Sequence, residues 1–215
     1  FLKETFNKKE YNSAIEIGCG SGANAYYASP YIESYTGIDY SKKLISIAQQ
    51  LYQTENTSFV QANAKIFKSE YAYDLIFGIG ILHHVTEINK VLENIKKLGH
   101  KDSVFLFAEP QNSNPIINFL RTTRKLIDPN YSKDQVFFSK EKLQELFEQN
   151  GYTVNNIRLF SYTYFPFAQI IFNPVAFFRV IAKLFLKIDY FIHRKFENKL
   201  ATSVMIACTI KNNEE

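Results

Sequence analysis

Between Ala14 and Gly22 the chain reads Ala-Ile-Glu-Ile-Gly-Cys-Gly-Ser-Gly, and this stretch constrains the fold more than any other. Ile15 and Ile17 close a short buried strand, and the residues after Gly22 can open a helix. Between them Gly18, Gly20 and Gly22 alternate. Glycine permits positive φ and has no Cβ, so a ligand can lie against bare backbone there. A turn of this kind at a strand's carboxyl end can cradle an adenosine-bearing cofactor. Glu16, two residues before the first glycine, calls for a cation, and the ammonium of an amino-acid moiety would supply one.

The first half of the chain alternates apolar runs with helical patterns. Ala14–Ile17, Tyr35–Asp39, Thr57–Gln61, Tyr73–Phe77 and Val104–Ala108 read as strands. The fourth is nearly all apolar, as a strand covered on both faces should be. Helices are predicted at Ala23–Ala28, at Lys42–Tyr52 behind the N-cap Ser41, and at Ile88–Leu98 with one apolar face. This β-α alternation implies a parallel sheet with right-handed crossovers and helices on both faces. In the second half, Ser139–Gln149 reads as a helix ended by Asn150-Gly151, and Tyr152–Phe160 and Thr202–Ile210 as strands.

A length of 215 residues fits one domain, 1–215, with appended lid or substrate segments at 111–135 and 161–200. The net charge of +4 is mild and predicts no nucleic-acid partner, which would call for a clustered basic face. Cys19 and Cys208 lie far apart without metal-ligand spacing and read as reduced thiols. No secretory signal is legible at the start. These features predict a cytoplasmic protein.

Asp39 ends the second strand about twenty residues after the glycine loop, where a carboxylate can accept from both ribose hydroxyls. Alone, the loop also satisfies the dinucleotide pattern of dehydrogenases. The order and spacing of four blocks narrow it: Glu16 to Gly22, Gly37-Ile38-Asp39-Tyr40-Ser41, Gln61-Ala62-Asn63-Ala64 and Tyr73-Asp74-Leu75-Ile76-Phe77, followed by Leu82-His83-His84-Val85. Together they resemble the class I S-adenosylmethionine-dependent methyltransferases, and the last tetrapeptide is similar to their small-molecule subgroup. The resemblance implies an α/β, Rossmann-like fold: a seven-stranded, mostly parallel sheet with an antiparallel last strand and a helical lid insertion. It implies S-adenosyl-L-methionine as cofactor and S-adenosyl-L-homocysteine as product. Glu16, Gly18, Cys19, Gly20 and Gly22 would face the methionine part, Asp39 the ribose, and Asn63 with Ala64 the adenine; Tyr40 and Gly78 are also expected to bind the cofactor. The family usually has Asp at position 63, but an Asn oxygen can also accept from the adenine amino group.

Methyl transfer from a sulfonium is an in-line displacement that mainly needs the acceptor held close and aligned. A hydroxyl acceptor also needs a base. His83 and His84 follow the fourth strand at its carboxyl end, and Glu109 ends the fifth, adjacent in the expected order. A histidine oriented by that carboxylate is the candidate base, and the resemblance implies the same pair. The plainer reading is a histidine that caps the next helix or packs beside the cofactor. No metal is expected, since adjacent histidines diverge on a strand and no zinc-spaced cluster accompanies them.

Residues 165–196 are rich in Phe, Ile, Leu and Val. Arg179, Lys183 and Lys187 recur every fourth residue. This pattern fits a lid over the acceptor pocket, a dimer contact, or a peripheral contact with membrane or lipid. The basic stripe, with Arg121, Arg124 and Lys125, would also suit an anionic acceptor. The leading reading is methyl transfer to a small-molecule acceptor, a hydroxyl of a sugar or of a lipid-linked intermediate. Two others stand beside it: a nicotinamide-dependent oxidoreductase, and a non-catalytic domain that binds a partner or membrane through 165–196.

Overall fold

The computed structural model describes residues 11–115, 117–119, 122, 136–161, 187–189, 191 and 200–211. Its strands are β1 (Tyr11–Ile17), β2 (Ile32–Asp39), β3 (Thr57–Gln61), β4 (Tyr73–Ile79), β5 (Gly99–Pro110), β6 (Tyr152–Phe160) and β7 (Ser203–Ile210). They form one sheet in the order β3-β2-β1-β4-β5-β7-β6. The first five strands pair in parallel, and β7 runs antiparallel between β5 and β6. The carboxyl ends of β1 to β6 therefore share one edge. The helices are α1 (Ala23–Ala28), α2 (Lys42–Tyr52), α3 (Ile88–Lys96) and α4 (Lys140–Gln149).

Two apolar layers sandwich the sheet. On one face Ala14, Tyr35, Phe59, Leu75 and Phe77 pack with Ala25 and Ala28 of α1 and Ile45 and Ala48 of α2. On the other, Ile15, Ile17, Ile76, Phe105 and Phe107 pack with Val91, Leu92 and Ile95 of α3 and Leu143 and Phe147 of α4. Burial on both faces explains why the central strands read as continuous apolar runs. Ser41 caps α2 by accepting from the Leu44 N–H at 3.3 Å, and Ser139 caps α4 by accepting from the Lys142 N–H at 3.2 Å.

Four strands are longer than their sequence signals. β1 begins at Tyr11, β2 at Ile32, β4 ends at Ile79, and β5 runs from Gly99 to Pro110. At the amino edge most of the added residues are polar, since one side meets water there and the apolar pattern fades. β5 starts with His100-Lys101-Asp102, and its pairing with β4 is irregular between Tyr73 and Leu75. The helix expected to end at Leu98 ends at Lys96, though Leu98 itself is buried.

After β5 the chain leaves the sheet and returns. Gln111 bridges to Phe138, and the Asn112 N–H donates to the Phe138 carbonyl at 3.0 Å. After β6, the Thr202 N–H donates to the Ser161 carbonyl at 2.7 Å, closing a second neck. The two necks are tied together. The Gln111 N–H donates to the Thr202 carbonyl at 3.0 Å, and its side-chain amide donates to the Ala201 carbonyl. Most of the expected lid segments, including Arg121, Arg124, Lys125, Arg179 and Lys183, lies outside the described residues. Of the basic stripe, Lys187 is described and is exposed. Among the described residues no helix is long and apolar enough to cross a membrane.

Phe147 is fully buried and packs edge-on or tilted against Phe107 and Tyr152, with ring centroids 5.5 and 5.3 Å away. Phe147→Ala should lower unfolding free energy by about 3–5 kcal/mol in urea titrations. Leu51→Ala, at a side chain 64% exposed, should change it by less than about 0.5 kcal/mol.

Candidate active site

The loop after β1 folds as its glycines dictate. Gly18, Gly20 and Gly22 have φ of 73°, 55° and 80°, a region other residues rarely enter. The N–H groups of Gly18 and Cys19 both donate to the Ile38 carbonyl, at 2.8 and 3.0 Å, pinning the loop to β2. The missing Cβ atoms serve packing more than ligand approach. A Cβ on Gly18 would lie 2.5 Å from Ile81 Cδ1, and one on Gly22 would lie 2.8 Å from both Ala48 and Phe59. Only Gly20 of the three faces open space. Gly78 likewise makes room for Ile81 and Phe107.

Asp39 stands where β2 ends. Its Oδ2 accepts from the Gly20 N–H at 2.9 Å and its Oδ1 from the Ser41 N–H at 2.8 Å. One carboxylate thus fixes the glycine loop and the start of α2, and each oxygen keeps a lone pair for a further donor. Asp39 lines a pocket of about 350 Å³ with Ile17, Gly18, Tyr40, Asn63, Ala64, Lys65, Ile81 and His84. That volume lies in the usual range for small-molecule sites, about 300–1,000 Å³. Asn63 Oδ1 accepts from the Lys65 N–H at 3.0 Å, which sets the turn and leaves the oxygen one lone pair.

Glu16 is expected to face the methionine part of the cofactor. It is fully buried on the α1 side of the sheet and does not line the pocket. Its carboxylate accepts from Asn24 Nδ2 at 2.7 Å and from the Tyr35 hydroxyl. Burial pushes its pKa up to about 7. The Tyr35 and Asn24 hydrogen bonds oppose that shift, and Asp39 adds to it. Cys19 is also buried, with its thiol pushed up by burial, and packs beneath the loop against Gly37. Cys19, Gly22 and Gly78 build the loop and its support, Gly20 faces open space, and Tyr40 lines the pocket and is 78% exposed.

His83 and His84 occupy a 3₁₀ turn, Leu82–His84, rather than extended chain. Their rings therefore do not diverge: the centroids lie 3.9 Å apart. Glu109, 1% exposed, reaches this turn from the end of β5. Its Oε1 accepts from the N–H groups of Ile81 and Leu82 at 2.9 and 2.7 Å. Its Oε2 lies 2.7 Å from His83 Nδ1 and accepts from the His83 N–H at 3.3 Å. A carboxylate accepts only, so His83 Nδ1 carries a proton, and in the neutral imidazole Nε2 keeps the lone pair. His84 lines the pocket. Partial burial, then His83, holds its pKa below the ordinary histidine value, against the pull of Glu109. From the first neck, the Val136 N–H donates to the His83 carbonyl at 3.2 Å, and Phe137 stacks on His83 with centroids 5.9 Å apart. Among the described residues no three of His, Cys, Asp and Glu gather as metal ligands do.

Sequence reasoning missed Tyr35, Asn24, Lys65 and Ile81. A signal existed for Tyr35. Glu16 pairs with Gly37 and Ala14 with Tyr35, so a side chain at 35 lies diagonally beside the acid on one face.

A methyltransferase-domain family model matches residues 8–151. The chain belongs to that family, with the architecture of the class I S-adenosylmethionine-dependent methyltransferases. It is 24% identical over 152 residues to the uncharacterized methyltransferase YcgJ of Bacillus subtilis strain 168, across 67% of this chain and 58% of YcgJ. It is 28% identical over 102 residues to nodulation protein S of Azorhizobium caulinodans, across 46% of this chain and 49% of that protein. The chain thus spans about half the length of these curated relatives. The crystal structure of YcgJ superposes with a TM-score of 0.64 at 20% identity, covering 99% of this chain and 97% of YcgJ. The N-methyltransferase NodS of Bradyrhizobium japonicum WM9, in complex with S-adenosylhomocysteine, superposes with a TM-score of 0.63 at 13% identity, covering 98% and 84%.

The packing behind the loop ranks two substitutions. Gly20→Ala and Gly22→Ala both force alanine into left-handed backbone, at roughly 1–2 kcal/mol. Gly22→Ala also overpacks Phe59 and Ala48, adding about 1–3 kcal/mol. Urea denaturation should therefore find Gly22→Ala the less stable of the two.

Proposed function

We propose that this protein transfers a methyl group from S-adenosylmethionine to a hydroxyl oxygen of a small molecule, a sugar or a lipid-linked intermediate. The observation that carries the reading is the buried Glu109 carboxylate 2.7 Å from His83 Nδ1, beside a pocket walled by Asp39, Asn63 and Ala64. The pocket residues suit the cofactor. Asp39 keeps acceptor capacity for ribose hydroxyls, Asn63 for an adenine amino group, and the open side of Gly20 leaves bare backbone for the amino-acid tail. When bound, S-adenosylmethionine supplies a methyl group on a sulfonium, a leaving group that needs no proton.

The chain's own task is then to place the acceptor and take its proton. His83 Nε2 accepts the hydroxyl proton as the oxygen becomes the nucleophile. Glu109 fixes the tautomer through Nδ1–H and stabilises the imidazolium that results. A carboxylate acceptor needs no base, and a neutral amine can attack before it loses a proton. The oriented histidine therefore favours a hydroxyl. The two tied necks open on the same edge as the pocket, which supports lid roles for 111–135 and 161–200 over a desolvated acceptor.

The cofactor half is tested by thermal shift. S-adenosylhomocysteine should raise the melting temperature and NADH should not, because a ligand bound only by the folded state stabilises it by mass action. Asp39→Ala should weaken S-adenosylhomocysteine binding by about 1.5–3 kcal/mol. Unchanged affinity would remove Asp39 from the site.

The catalytic half is tested against a panel of sugar and lipid-linked hydroxyl acceptors. His83→Ala should lower turnover about 100-fold or more while S-adenosylhomocysteine affinity holds, and His84→Ala should cost less. Full turnover in His83→Ala would show that positioning alone suffices.

A further inference from the structure

The chain from Ala62 to Lys65 forms one wall of the pocket, yet it belongs to no helix or strand. Beside the Lys65 N–H bond to Asn63 Oδ1 and the Ala62 N–H bond to the Asp39 carbonyl, its shape comes from three further anchors. Within the segment, the Asn63 carbonyl accepts from the N–H groups of Ile66 and Phe67, both at 3.0 Å. At the rim, Lys65 Nζ pairs with Glu87 Oε2 at 2.5 Å. From behind, Asn94 of α3 donates through Nδ2 to the Ala64 carbonyl at 3.0 Å and to the Phe67 carbonyl at 2.8 Å.

These anchors differ in strength. The Lys65 and Glu87 side chains are 29% and 43% exposed, and such pairs contribute little. Asn94 is half-buried on α3, beside the core residues Val91 and Ile95, and both of its amide protons are used on the loop. A backbone hydrogen bond to adenine depends on where the Ala64 peptide sits. Asn94 holds the carbonyl of that residue.

We infer that Asn94 is a positioning residue that sets the adenine selectivity of the pocket by fixing the Ala64–Phe67 backbone. The inference rests on the proposed cofactor reading, in which Asn63 and Ala64 meet the adenine edge. A loop held in one geometry presents a fixed acceptor at Asn63 Oδ1 and fixed backbone at Ala64. A loop released from α3 samples several geometries, and the match to one base edge is lost.

The test is calorimetric titration of the full chain with S-adenosylhomocysteine and with S-inosylhomocysteine, whose 6-oxo group replaces the adenine amino donor. Wild type should prefer the adenine compound. Asn94→Ala should weaken S-adenosylhomocysteine roughly 10-fold, the loss of one or two hydrogen bonds, and S-inosylhomocysteine far less, so the preference shrinks. Without any ligand, amide exchange at Ile66 and Phe67 should quicken in Asn94→Ala and stay unchanged across Ile81–His83. Asn94→Asp, which keeps size but loses the donor, should behave alike. Asn89→Ala, on the same helix but away from the loop, should match wild type. Equal losses for both nucleosides, or unaltered preference, would overturn the inference. Wild type that binds neither compound would overturn the cofactor reading itself.

Discussion

The buried carboxylate of Glu109 organises the carboxyl edge of this sheet. It receives three consecutive backbone N–H groups and the ring N–H of His83, so none of its capacity is left to water. Removing this carboxylate would cost more than its hydrogen bonds are worth, because its donors would stay buried unmatched. Much follows from it. The turn it holds delivers Ile81 into the space left by Gly18 and Gly78, closing the pocket floor. The same turn aims His83 and lays Phe137 against it. The packing under the glycine loop and the placement of His83 are thereby linked through one side chain on a neighbouring strand.

Two acids near the glycine loop do different work, and their surroundings decide which. Asp39 keeps contact with the pocket and takes two backbone N–H groups. Glu16 meets only neutral donors in full burial and holds its proton more tightly. Its evident effect is mechanical: Asn24 ties α1 to β1 through it, and Tyr35 ties β2.

The β-α alternation and the glycine loop were legible because each is a local pattern: apolar period, caps at Ser41 and Ser139, and alternating glycines. The antiparallel β7 was legible only through the family resemblance, since no local signal encodes strand order. Asp39, Asn63 and Ala64, which stand out in the sequence blocks, line one pocket. The burial of Glu16 was not legible, because it depends on Tyr35 and Asn24 approaching from other elements. The His83–Glu109 pairing was foreseen from strand adjacency. Its 3₁₀ geometry was not, because the turn is shaped by a carboxylate 26 residues further along the chain. Lys65 and Asn94 carry no sequence signal of their own, being ordinary polar residues whose partners are backbone atoms.

The two stitched necks have an evolutionary meaning. Each brings the chain back within a hydrogen bond of where it left, at Gln111 with Phe138 and at Ser161 with Thr202. The sheet therefore does not register how much chain lies beyond a neck. Doubling either excursion would cost only about 0.6 kcal/mol of closure entropy. Descendants of this fold can lengthen, shorten or rewrite those excursions while the strands and the pocket wall stay in register. Length can thus change at two fixed ports without renegotiating the core.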